Sequence, residues 1–148
     1  MRKLQLNLLC LCFCFIAALS LNGQTHIDWT TLADVIFKKA YDSALGMTYD
    51  VAKFGDYVKD LEGKEVIITG YMIPLDAFGV SYALSQNPNK ICFFCGGSGP
   101  ETVIDLQMKP KFIKRYQMDA RLTMKGTLQL NENNLDGFNY VLVNAQPL

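Results

Sequence analysis

The residues best placed to do chemistry sit in one short stretch, ICFFCGGSGPE, from Ile91 to Glu101. Two cysteines three apart, Cys92 and Cys95, flank Phe93 and Phe94, and Gly96, Gly97 and Gly99 follow before Pro100-Glu101. Three chemistries open from such a pair. In an oxidising compartment the two thiols can join as a disulfide. The ring would be small, so its effect would be to stiffen the loop rather than to remove much chain entropy.

A thiol–disulfide catalyst is the second. It needs a helix behind the first cysteine to lower the thiol pKa, and three glycines with a proline oppose a helix here, each glycine costing about 1 kcal/mol relative to alanine. The third is metal. Two thiolates make half of a tetrahedral zinc site, with Glu101 the nearest carboxylate in sequence and Asp76 and Asp105 further candidates. Soft Cu(I) is satisfied by two thiolates with methionine help.

Several other readings close quickly. Haem attachment needs histidine directly after the second cysteine, and that residue is Gly96. A phosphate-binding loop would end Gly-Lys-Ser/Thr. The bland account of the glycines is a tight turn around the cysteines, with one phenylalanine facing the core and the other exposed as an anchor for a partner. The only histidine, His26, is better suited to a solvent-facing chain start than to a ligand or to a Ser-His-Asp triad. Trp29, Tyr71, Tyr82 and Tyr116 could line a barrel face for sugar or oligonucleotide, although aromatics at strand spacing more often form core or cover.

The chain that must position this loop has 148 residues. Arg2 and Lys3 precede an apolar run from Leu8 to Leu19 and then small and polar residues, the layout of a secretory leader. The run is shorter than the roughly 20 residues of a membrane-spanning helix, so a cleaved signal peptide is expected at 1–23. No transmembrane span would remain after cleavage. Cys10, Cys12 and Cys14 leave with the leader, and Cys92 and Cys95 are then the only cysteines. Without Arg2 and Lys3, 12 basic residues face 14 acidic ones, a net charge of −2. Such a balance gives no footprint for nucleic acid, which is bound largely by neutralising phosphates, and no basic stripe for anionic lipid. Residues 24–148 are enough to bury a core as one domain.

Within that domain, Leu32–Lys39 has the β-branched and aromatic content of a strand, while Thr30 or Thr31 could cap a short helix. Tyr57, Val58 and Leu61 fall at helical spacing in FGDYVKDL, a short helix stopped at Glu62-Gly63 and suited to plugging one end of something. Five strand-like segments follow: KEVIITGYMIPL, VSYALSQ, TVIDLQMK, RLTMKGTLQL and NYVLVNA, the last after an Asp-Gly turn in ENNLDGF. The first is apolar on both faces, as a central or barrel strand is. Gly70 and Gly126 lie inside strands, where glycine marks a bend or a close backbone approach. These features predict an all-β chain with minor α content: a small five-stranded, OB-like antiparallel barrel with a short helix, a flat sheet with a packed helix being the alternative.

LEGKEVIITGYMIPLD, YALSQNPNKICFFCGGSGPETVIDLQMK and the terminal MKGTLQLNENNLDGFNYVLVNAQP also resemble a family of small exported Gram-negative envelope proteins of unknown function. That family shares the G-Y-x-I-P-L strand and the C-F-F-C-G-G-x-G-P-E loop, and is itself similar to OB-like envelope domains. The resemblance implies export to the periplasm or cell envelope and a barrel, and leaves the chemistry open.

Together these features lead to the expectation of an exported, non-catalytic binding or accessory module, serving an envelope protein complex through Cys92 to Glu101. Metal handling (Zn or Cu) at Cys92 and Cys95 and thiol–disulfide exchange are the alternatives.

Overall fold

The computed structural model describes residues 25–132 and 137–148. The expected leader lies outside the described residues, as does Asp136 of the expected Asp-Gly turn. Among the described residues no helix is long and apolar enough to cross a membrane.

The region ahead of the barrel departs most from its sequence signals. A two-residue strand, β1 (Thr25–His26), leads into a helix, α1 (Trp29–Leu32). Its cap is Asp28 rather than Thr30 or Thr31: the carboxylate accepts the Thr31 amide at 2.9 Å and both threonine hydroxyls, satisfying donors that a helix start leaves open. Leu32 is therefore the buried residue of α1, and the strand begins three residues later. This strand, β2 (Val35–Asp42), pairs antiparallel with β3 (Met47–Phe54) along its whole length. The sequence did not mark β3, because Val51, Ala52 and Phe54 break strict alternation; its strand character comes from the ladder that β2 offers. A second helix, α2 (Asp56–Lys59), falls inside the expected 54–61 segment, and Gly63 at φ 73° ends the turn after it. The expected single helix is thus two.

The five barrel strands lie where the alternation placed them: β4 (Glu65–Pro74), β5 (Tyr82–Ser85), β6 (Val103–Met108), β7 (Arg121–Leu130) and β8 (Tyr140–Pro147). The long β4 pairs with β7 from Glu65 to Tyr71 and with β5 from Tyr71 to Pro74. The order β4-β5-β6-β8-β7, with β7 returning to β4, closes the sheet into an OB-like barrel. It is not wholly antiparallel, since β6 and β8 run parallel: this order places the third and fifth barrel strands side by side in one direction. Closure also removes the exposed edges that an open sheet would present.

Val66, Ile68 and Met72, Tyr82 and Leu84, Ile104, Met124, Leu128, Tyr140 and Leu142 fill the interior. Each such side chain contributes about 1.5–3 kcal/mol by burial. Leu32, Phe54, Val58 and Leu61 join the same core, so both helices plug the barrel as the short helix was expected to. Tyr140 fastens the plug, its buried hydroxyl donating to the Leu32 carbonyl at 2.6 Å, and the Trp29 indole donates to the Thr69 carbonyl at 2.8 Å. Gly70 and Gly126 are close-approach positions. A Cβ would lie 2.7 Å from the Ser85 carbonyl oxygen at the first and 2.7 Å from Leu142 Cγ at the second. On the outer side of β4, β5 and β6, Ile73, Ala83 and Val103 form a separate buried cluster against Phe138.

Candidate functional site: the cysteine loop and its aromatic groove

Residues 86–102 join β5 to β6 through three single-turn 3-10 segments, Asn89–Ile91, Phe93–Cys95 and Pro100–Thr102. The loop is tied at its base by the Gln86 amide to the Thr102 carbonyl (2.9 Å) and inside by the Cys95 and Gly97 amides, both to the Cys92 carbonyl. Asn87 Nδ2 donates to Ser98 Oγ and Ser98 Oγ to the Ile91 carbonyl, each at 2.8 Å. From outside, Asp119 accepts the Asn89 amide at 2.7 Å. Two glycines make this path available. Gly96 ends the Phe93–Cys95 turn in the left-handed region, at φ 72°, which other residues adopt at a cost. At Gly97 a Cβ would stand 2.7 Å from the Ile91 carbonyl oxygen. The glycines therefore turn the chain around the cysteines, the tight turn expected of them.

Cys92 is buried, Cys95 is exposed and both are free; the two thiols come within 4.2 Å of each other. The Cys95 thiol donates to the Asn89 carbonyl at 3.1 Å, and Cys92 makes a long 3.9 Å contact with Asn89 Oδ1. Local burial of the sulfur, followed by the neighbouring Cys92, pushes the Cys95 thiol above its ordinary pKa, although the residue as a whole is exposed. A thiol built to attack is shifted the other way, and a helix N-terminus is one common cause. Here Cys92 precedes only the three-residue turn.

Glu101 is not placed with the thiols. Its carboxylate lies against Gly99. The Tyr140 phenol is pushed far above its ordinary range by burial first and then by the charges of Glu101 and Asp34. Among the described residues no three His, Cys, Asp or Glu side chains converge as a metal-holding group. His26 is exposed on β1 beside Ile67 of β4, and Asp76 belongs to the β4–β5 loop. Asp105 sits half-buried on β6, where burial raises its pKa against the opposing hydrogen bonds of Gln107 and Leu106.

Phe93 and Phe94 do not divide between core and solvent: they are 36% and 47% exposed. Their rings meet edge to face at 5.6 Å, and Phe94 meets Phe138 in the same manner at 5.8 Å. A groove of about 340 Å³ runs between them, formed by Phe93, Phe94 and Pro100 of the loop, Val103 of β6, and Phe138 and Asn139 of the β7–β8 connection. Sequence reading missed Phe138. It follows turn residues in LDGF, and only barrel closure brings it to a loop far away along the chain. The aromatic candidates for a shared face are used elsewhere: Tyr82 is interior and packs edge to face on Tyr116 at 5.5 Å, and Trp29 helps hold the plug.

Fold and site define the chain as a small closed OB-like barrel bearing a braced, thiol-containing loop beside an aromatic groove. No protein-family model matches it, and neither a curated protein nor a solved structure shows significant similarity.

Proposed function

We propose that this chain is an exported, non-catalytic binding module of the bacterial cell envelope, and that it engages a protein partner through the groove between the cysteine loop and Phe138. The observation that carries this reading is the exposure of Phe93 and Phe94 on a loop whose backbone is already fixed by hydrogen bonds. Aromatic anchors in a pre-ordered frame lose little freedom on association, so more of their apolar burial appears as affinity. The groove also has a buried apolar floor in Val103, and patches of this kind on a small domain mark interaction sites. The leader-like start and the resemblance of the loop to exported envelope proteins support the location. Cys92 precedes only a three-residue turn and not a helix that would activate the first thiol, which favours binding over thiol–disulfide catalysis.

A photo-crosslinking residue at Phe94, in the full chain expressed in a Gram-negative host, tests this reading. The expected result is a processed chain lacking residues 1–23 in the periplasmic fraction. One discrete adduct should form, lost on Phe138→Ala and absent when the probe replaces Tyr57, which is exposed but lies outside the groove. Equal adducts from both positions, or a chain retained in the cytoplasm, would refute it. Insulin reduction above the level of a Cys92→Ser control would replace it with the enzymatic reading.

A further inference from the structure

The groove leaves the two thiols unused, and their arrangement is specific. Both are free, 4.2 Å apart, and each contacts an oxygen of Asn89, so one residue fixes the direction of both sulfurs. The backbone that sets their spacing is held by the Cys95 and Gly97 amides on the Cys92 carbonyl and by the left-handed Gly96. We propose that Cys92 and Cys95 form a two-thiolate site for a monovalent thiophilic cation, cuprous copper.

The donor set selects the ion. Zinc requires four ligands, and among the described residues no third His, Cys, Asp or Glu joins the pair. Glu101, the nearest carboxylate in sequence, lies against Gly99. Soft thiolates select Cu(I), which accepts two of them without further donors. Distance agrees. With metal–sulfur bonds of about 2.3 Å, two sulfurs on opposite sides of one ion stand about 4.6 Å apart, and neighbours in a tetrahedron about 3.8 Å. The observed 4.2 Å lies between these limits.

Access is one-sided: exposed Cys95 meets the ion first and buried Cys92 completes the site. Binding replaces two S–H bonds by two Cu–S bonds and releases two protons, with no change of oxidation state at copper or sulfur. The site stands independently of the aromatic groove, because Phe93 and Phe94 donate nothing to the ion.

Anaerobic titration of the processed, reduced protein with Cu(I) against a cuprous chelator tests the proposal, read by thiolate-to-copper charge-transfer absorption and by proton release. One ion per chain is expected. Cys95→Ser should weaken binding by more than about 100-fold, since even outer-shell partners of a metal site are worth 10–100-fold. Cys95 is exposed, so this variant keeps the fold and its thermal melt reports that directly; Phe94→Ala should bind copper as the parent does. Retention of copper by Cys95→Ser within about tenfold, one Zn(II) bound as tightly as Cu(I), an ion shared by two chains, or isolation of the pair from the envelope as a disulfide would each overturn the proposal. Loss of copper binding with the Phe94 adduct intact refutes this site alone, and the reverse result refutes the groove alone.

Discussion

The two loops on either side of β5 both present phenylalanine to solvent, and they are held by different means. In residues 75–81 the frame is one charge. Asp76 Oδ1 accepts the amides of Phe78 and Gly79 at 2.7 and 2.6 Å, with a longer contact to Val80 at 3.3 Å, and Oδ2 accepts Ser81 at 2.6 Å. Phe78 at the tip is 81% exposed. In residues 86–102 backbone amides, Asn87, Ser98 and two glycines fix the frame, with Asp119 holding Asn89 from outside, and Phe94 is only 47% exposed because Phe138 meets it. Phe78 of the first loop does not line the cavity beside it, which is formed by Pro74, Asp76, Ala77, Gly79, Tyr82, Arg115 and Tyr116. The second builds a groove, and for that reason the functional reading rests on it. The difference has a chemical consequence, since a carboxylate frame answers to protons and a thiol-bearing frame answers to oxidants and soft metals.

The strongest way to break this comparison is at Gly97. Gly97→Val places side-chain atoms against the Ile91 carbonyl and should cost about 1–3 kcal/mol, in the range of overpacked sites. Chemical denaturation would measure that loss, and hydrogen exchange should localise it to 86–102 while residues 75–81 stay protected. Phe138→Ala comes next. Its ring is half-buried, so the loss should be about 1–2 kcal/mol, below the 3–5 kcal/mol of a fully buried phenylalanine. The larger effect should fall on partner adducts at Phe94.

Acid sharpens the contrast from the other side. Burial pulls the Asp76 pKa up, but the four amides together pull harder and leave it below the ordinary 3.8. The ionised form is thus favoured in the folded chain, and its contribution is complete above about pH 4, then lost as pH falls through the lowered value. Asp76→Asn should lower Tm by a few degrees at neutral pH, and parent and variant should converge in acid. The smallest effect is expected at Cys95→Ser, an exposed thiol whose replacement should leave Tm unchanged and remove only the soft-metal response.

How much of this was legible beforehand follows from where each signal resides. The two apolar faces of KEVIITGYMIPL and the alternation in RLTMKGTLQL are local properties, and they located β4 and β7. The glycines at 70 and 126 were recognisable for the same reason. β3 was not, because its ladder depends on β2 rather than on its own pattern, and neither was the cap at Asp28, since Thr30 and Thr31 offered equally good local candidates. At the site, Cys92 and Cys95 stood out from spacing alone. Which thiol is buried, where Glu101 points and that both phenylalanines face outward depend on packing.

The amino-acid order by itself therefore determined a five-stranded barrel with a glycine-rich cysteine loop between its second and third strands, because side-chain periodicity and backbone permissiveness are written residue by residue. Tertiary structure alone decided that Phe138 completes a groove with Phe94, that β6 and β8 run parallel, and that, among the described residues, Glu101 does not join the two thiols in a metal-holding group. The first two relations join residues distant along the chain, and closing the barrel is the event that sets their distances.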